Sequence, residues 1–133
     1  MKPLVLRFSL IFACLFLVVL SGCKKDSASL VGAYSVEENG ALKEFIRITR
    51  NGDTYFLSEK DGISWLVPLE VATAGDQEVS DILGTPVTGI SAGVGNRQVA
   101  VVRVPPGWKL GTFESKTGFW LASAPGPIEL HKN

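Results

Sequence analysis

The run Phe8–Leu20 constrains this chain more than any other feature: thirteen residues in which only Ser9 is polar. An apolar stretch of that length is buried in a core, crosses a membrane or is cut away. It follows a short cationic start, Met1-Lys2-Pro3-Leu4-Val5-Leu6-Arg7, and leads directly into Ser21-Gly22-Cys23. A positive start, an apolar centre and small residues at the end are the layout of a secretory signal. As a helix rising ~1.5 Å per residue, the run would extend roughly 20 Å, short of the ~30 Å hydrocarbon core of a bilayer. Lengthening it back to Leu4 would bury Arg7 unless that side chain snorkels. A removed signal is therefore expected in preference to a permanent span.

Leu20-Ser21-Gly22-Cys23 resembles the lipobox of bacterial lipoproteins, in which a Leu, a small residue and a Gly or Ala precede a cysteine. The resemblance implies lipid transfer to the Cys23 thiol, cleavage between Gly22 and Cys23, and acylation of the new amino group, with palmitate among the chains. One acyl chain anchors marginally and two anchor stably, at ~0.8 kcal/mol per buried CH₂. The second residue of the processed chain would be Lys24 rather than Asp. In many Gram-negative bacteria an Asp there retains a lipoprotein in the inner membrane, so the expected address is the outer membrane, periplasmic face. The expected organisation is a signal peptide over 1–22, a lipidated polar tether over 23–29 and a single domain over 30–133. With Cys14 in the removed segment and Cys23 committed to lipid, the domain would hold no thiol and no disulfide.

The whole chain carries 13 basic and 13 acidic residues. Lys2 and Arg7 leave with the signal, so 11 basic and 13 acidic side chains remain, a charge of about −2. Nucleic-acid binding by counterion release needs a basic face, and this balance argues against one. Thirteen glycines and six prolines remain among 111 residues, a turn-rich texture that suits short strands.

Leu30–Glu37 alternates as a first strand, and Glu38-Asn39-Gly40 turns it into Lys43–Arg50, with Ile46 and Ile48 on one face. Asn51-Gly52 is the strongest hairpin signal and predicts a type I′ turn. Thr54–Ser58 and Ile63–Val71 follow, the latter carrying Pro68, which predicts an edge position or a bulge. Asp76 is the expected N-cap of a short helix presenting Val79, Ile82 and Leu83, with Gly84 at C′. Gly84–Asn96 reads as a Gly-rich loop and Gln98–Val104 as a buried strand. Trp108–Thr112, Gly118–Ala122 and Pro127–His131 read as short closing strands. The expected fold is mainly β, a small antiparallel β-barrel or β-sandwich with one short helix. The opening Gly32-Ala33-Tyr34 and the meander after it resemble small lipocalin-like domains of bacterial lipoproteins.

No set of residues reads as catalytic, metal-ligating or cofactor-binding. Lys116-Thr117-Gly118 matches the KTG triplet of penicillin-binding proteins and β-lactamases. The Ser-x-x-Lys that chemistry needs occurs only at Ser21–Lys24, across the cleavage point, so the triplet reads as a turn. Gly84–Gly89 has P-loop glycine spacing, but Ile90 stands where the phosphate-binding Lys belongs. His131, the only histidine, lies three residues from the end and reads as a solvated tail residue. Nine aromatics remain after processing, and most belong in a core that has no disulfide to help it. Trp65 and Trp120 are expected to be buried. Trp108, after Pro105-Pro106-Gly107, is the candidate partner contact. The expected function is a non-enzymatic binding lipoprotein, held in the membrane by acyl chains on Cys23 and recognising a protein in the envelope. One version is an inhibitor or immunity protein against a secreted envelope-targeting hydrolase. The alternatives are a lipocalin-like carrier of a lipid or small apolar ligand, and an envelope assembly component.

Overall fold

The computed structural model describes residues 27–133. The signal segment, Gly22, Cys23 and the first half of the tether lie outside the described residues. Ser27–Leu30 form one 3-10 turn with Ser27 and Leu30 buried. The turn packs against the strand Ala92–Gly95, which places Leu30 in the core.

The rest is mainly β. The strands are β1 (Gly32–Glu38), β2 (Ala41–Asn51), β3 (Thr54–Asp61), β4 (Ser64–Trp65), β5 (Leu69–Thr73), β6 (Ala92–Gly95) and β7 (Val99–Arg103). They continue with β8 (Lys109–Leu110), β9 (Phe113–Glu114), β10 (Phe119–Ser123), β11 (Ile128–Glu129) and β12 (His131–Lys132). One helix, α1 (Asp76–Leu83), lies between β5 and β6. The main sheet runs β11-β10-β7-β6-β5-β3-β2-β1-β12, all antiparallel, with β4 beside β3. Its two outer members, β11 and β12, belong to one segment interrupted only at Leu130. That segment pairs with β10 on one side and β1 on the other, so the sheet closes on itself as a barrel-like wall.

The wall divides the apolar residues by their period of two. Inside lie Tyr34, Ile46, Ile48, Tyr55, Leu57, Val71, Val94, Val101, Leu121 and Leu130, with Leu30. On the outer side of β6, β7 and β10 lie Ala100, Val102, Trp120 and Ala122, covered by Val79 and Ile82 of α1 and by Val87 and Ile90. Both faces of β7 are therefore covered, which is why Val99–Val102 reads as an unbroken apolar run.

Several local expectations are corrected. The type I′ turn is at Asn39-Gly40, where φ is 53° and 80°. At the second hairpin Asn51 still pairs with Thr54, so the loop is Gly52-Asp53; Gly52 alone has positive φ, the type II′ pattern. The helix N-cap is Gly75, and Glu78 accepts its N–H at 2.9 Å. Asp76 opens the first turn and its carboxylate accepts Ile90 N–H at 3.0 Å, so it pins the following loop. The expected loop 84–96 contains the fully buried strand β6. Gly95 is required there: a Cβ would run into Val99 O and Ala100 across the tight β6–β7 hairpin. The expected strand at 63–71 is split. Leu66 N–H still reaches Glu59 O at 2.8 Å, the ladder lapses through Pro68, and β5 resumes at Leu69. Residues 108–114 form a separate small hairpin, β8–β9. The C-terminal tail is a strand rather than a loose end, and His131 is half-buried opposite Ser35.

Candidate functional site: the projecting end of the barrel

The up-and-down order sorts the connections between two ends. One end carries the 3-10 turn at the start of the described chain, the Gly52-Asp53 turn and the C-terminus, while α1 and the β8–β9 hairpin lie against the outside of the wall. The other carries the tight turns at Asn39-Gly40, Gly62-Ile63, Asn96–Gln98 and Ala124–Gly126. The strands differ in length: β2 has 11 residues and β3 has 8, against 4 in β6 and 5 in β7 and β10. The ribbon β2–β3–β4 therefore projects past the short strands at this second end.

That projection is apolar and bare. Ile63 is 96% exposed and Val67 82%, with Leu42 and Leu69 more than half exposed and Leu66 nearly so. Ile63 is forced outward because it is the second residue of the Gly62-Ile63 turn. Pro68 has no N–H to donate, and the ladder is broken at Leu66–Pro68. Isolated apolar residues on a surface are ordinary; four in the seven residues 63–69 with Trp65 among them are not.

Trp65, expected in the core, lies half-buried on the outer face beside its cross-strand partner Lys60. The Arg47 guanidinium stands 4.4 Å from its ring centre and the Lys60 ammonium 5.4 Å. Both are cation–π contacts, and they hold the ring against the ribbon. Arg47 Nε and Ser58 Oγ, on paired strands at the same register, are buried without hydrogen-bond partners. Around the apolar tip are six exposed carboxylates: Glu37, Glu38, Glu44, Glu59, Asp61 and Glu70. Three cations share this part of the ribbon, Lys43, Arg47 and Lys60; the fourth on β2 and β3, Arg50, pairs with Asp53 at the far end. Lys43 pairs with Glu38 at 3.7 Å and Lys60 with Glu44 at 3.2 Å.

The candidate contact from the sequence, Trp108, lies elsewhere. Its half-buried ring stacks on Trp120 with centres 5.1 Å apart, and its indole N–H donates to Thr88 O at 2.8 Å. Phe113 meets Trp120 edge-on at 5.7 Å. Trp108 thus fastens the loop after α1 and the β8–β9 hairpin onto the outside of the wall. Gly22 and Cys23 lie outside the described residues. The sequence reading took 63–71 as one strand and so missed the exposed tip. The available signal was Trp65-Leu66-Val67, three apolar residues without alternation, ending at Pro68.

Two surface grooves are lined by described residues. One, of about 410 Å³, lies between α1 and the β6–β7 turn, with Glu78, Asp81 and Arg97 at its rim. The other, of about 380 Å³, lies beside β1 and the C-terminal segment, with Glu37, Glu114, Lys116, Glu129 and His131. Glu129 is not free to act as a base: it accepts Ser115 Oγ, Lys116 N, Thr117 N and Thr117 Oγ1. Among the described residues, no three His, Cys, Asp or Glu are grouped to hold a metal ion, and no helix is long and apolar enough to cross a membrane. Compared with known proteins, the chain matches no family model, no curated protein and no solved structure.

Proposed function

We propose that this chain is a membrane-anchored lipoprotein of a bacterial envelope whose β domain binds a protein and catalyses nothing. In its specific version it is an inhibitor or immunity protein against a secreted hydrolase that attacks the envelope. The observation that carries this reading is the polarity of the barrel. The chain enters at one end, while the bare apolar tip projects from the other. Lipid on Cys23 would keep the entry end close to the bilayer, because residues 23–26 reach at most ~14 Å. The tip would then point away from the membrane, toward the periplasm.

The filled interior favours a surface over a cavity. A carrier needs reachable apolar space, and here Tyr34, Ile46, Ile48, Val94, Val101 and Leu130 fill the middle with no exposed surface. Three measurements test the proposal on the full chain. Intact-mass spectrometry of native material should find residues 1–22 absent and acyl chains on Cys23, and Cys23→Ser should leave the membrane fraction. Co-purification from envelope extracts in mild detergent should recover a soluble protein. An unmodified Cys23 thiol removes the anchor, and recovery of no protein removes the binding function.

A further inference from the structure

The tip has a shape and a charge, and together they specify what covers it. It is convex, since the turn Gly62-Ile63 and the break at Leu66–Pro68 stand beyond the ends of the short strands. A convex apolar projection is covered by a concave surface. Its rim is acidic, with six carboxylates against three cations for a local charge of −3. Two of those cations are already paired, and the third, Arg47, lies beneath Trp65. Glu37, Glu59, Asp61 and Glu70 make no ion pair among the described residues and are exposed.

We propose that residues Ile63–Leu69 insert into an apolar cleft with a basic rim on a soluble protein. Ile63 and Val67 are the anchors, and Glu59, Asp61 and Glu70 meet the partner's cations. The proposal rests on the binding reading above and adds to it the contact face and the partner's chemistry. Charge complementarity decides among the possible occupants. An anionic lipid surface repels four free carboxylates, and the entry end of the chain lies opposite the tip. A second copy of the chain would bring the same acidic rim against itself, and like charges facing across an interface disfavour that pairing. A cationic cleft is attracted by that rim, which speeds encounter, while the apolar anchors slow dissociation.

The test is site-specific photocrosslinking in cells that express the full chain, with a benzophenone side chain at position 63, 67 or 53. Position 53 lies in the turn at the opposite end. The expected result is one soluble protein of net positive charge, identified by mass spectrometry, joined at 63 and 67 and absent at 53. In the Glu59→Lys, Asp61→Lys double variant its yield should fall at least tenfold and be restored in part by lowering the charge of the partner's cleft. A purified Val67→Asp variant that melts at the wild-type temperature but loses the crosslink at 63 excludes misfolding as the cause. A crosslink at 63 to lipid, to a second copy or to an acidic protein overturns the proposal. A partner joined at 53 and not at 63 overturns it while leaving the binding reading intact. Absence of any crosslinked protein at all three positions overturns both.

Discussion

At the scale of single residues, Tyr34 does the most with one side chain. Its ring is fully buried, tilted against Phe119 at 5.7 Å, and its hydroxyl donates to Leu30 O at 2.5 Å. That bond ties the 3-10 turn to the barrel interior. Burial disfavours the phenolate and pushes the Tyr34 hydroxyl well above its ordinary value of 10.0. The sign of the pH dependence follows. In the unfolded chain the phenol loses its proton near pH 10, whereas in the folded chain it keeps it. The unfolded state then binds fewer protons, so stability is intact below about pH 10 and declines as pH rises toward the folded value. Tyr34→Phe should cost about 1–2 kcal/mol at neutral pH, because it leaves Leu30 O buried without its donor. It should also flatten the decline above pH 10. Urea denaturation at pH 7 and at pH 10.5 checks both; an unchanged alkaline slope in the variant would refute the assignment.

At the scale of elements, β6 shows where a sequence signal and the packing part company. Gly93 and Gly95 gave the segment the look of a flexible loop, yet all four residues of Ala92–Gly95 are buried. Glycine is there because backbone of neighbouring elements occupies the space a Cβ would need, at Ala74 O for Gly93 and at Val99 O for Gly95. Gly95→Ala should therefore destabilise by about 1–3 kcal/mol through forced backbone shifts, the usual cost of overpacking. A thermal melt within a degree of wild type would show that the β6–β7 hairpin yields more easily than this contact implies. Most other elements were legible. Ile46 and Ile48 alternate with Arg47 in sequence and in burial, and Val79, Ile82 and Gly84 mark α1 and its end. Turn positions were less so: Asn51-Gly52 carries the right residues, but the register set by Ile48 against Leu57 moves the loop one residue on. The tip at 63–69 was hidden for a different reason. Its residues have strand composition, and only the mismatch in length between β3 and β6 leaves them bare.

At the scale of the whole molecule, closure is the decisive property, and it depends on the last six residues. Residues 128–133 carry the strand that joins β10 to β1, with Leu130 fully buried between its two halves. Leu130 N–H donates to Phe119 O, Asn133 N–H to Ala33 O, and Lys132 Nζ to Ser29 O at 2.7 Å. Glu129 gathers the four donors of the Ser115–Thr117 turn. Deleting residues 127–133 would expose one edge of β1 and one of β10, remove a buried Leu worth roughly 1.5–3 kcal/mol, and leave Ser115 and Thr117 without their carboxylate. Summed over these losses the penalty should exceed about 5 kcal/mol, comparable with the whole stability of a domain this size. The truncated chain should lose the near-ultraviolet circular dichroism of Trp120 and unfold without a cooperative transition. By contrast, changes at the projecting tip such as Val67→Asp should shift stability by less than about 0.5 kcal/mol, since Val67 makes no core contact. A truncated chain that still melts cooperatively would mean that β1 and β10 find another way to satisfy their edges, and the closed wall would then not be what holds the tip away from the chain's entry end.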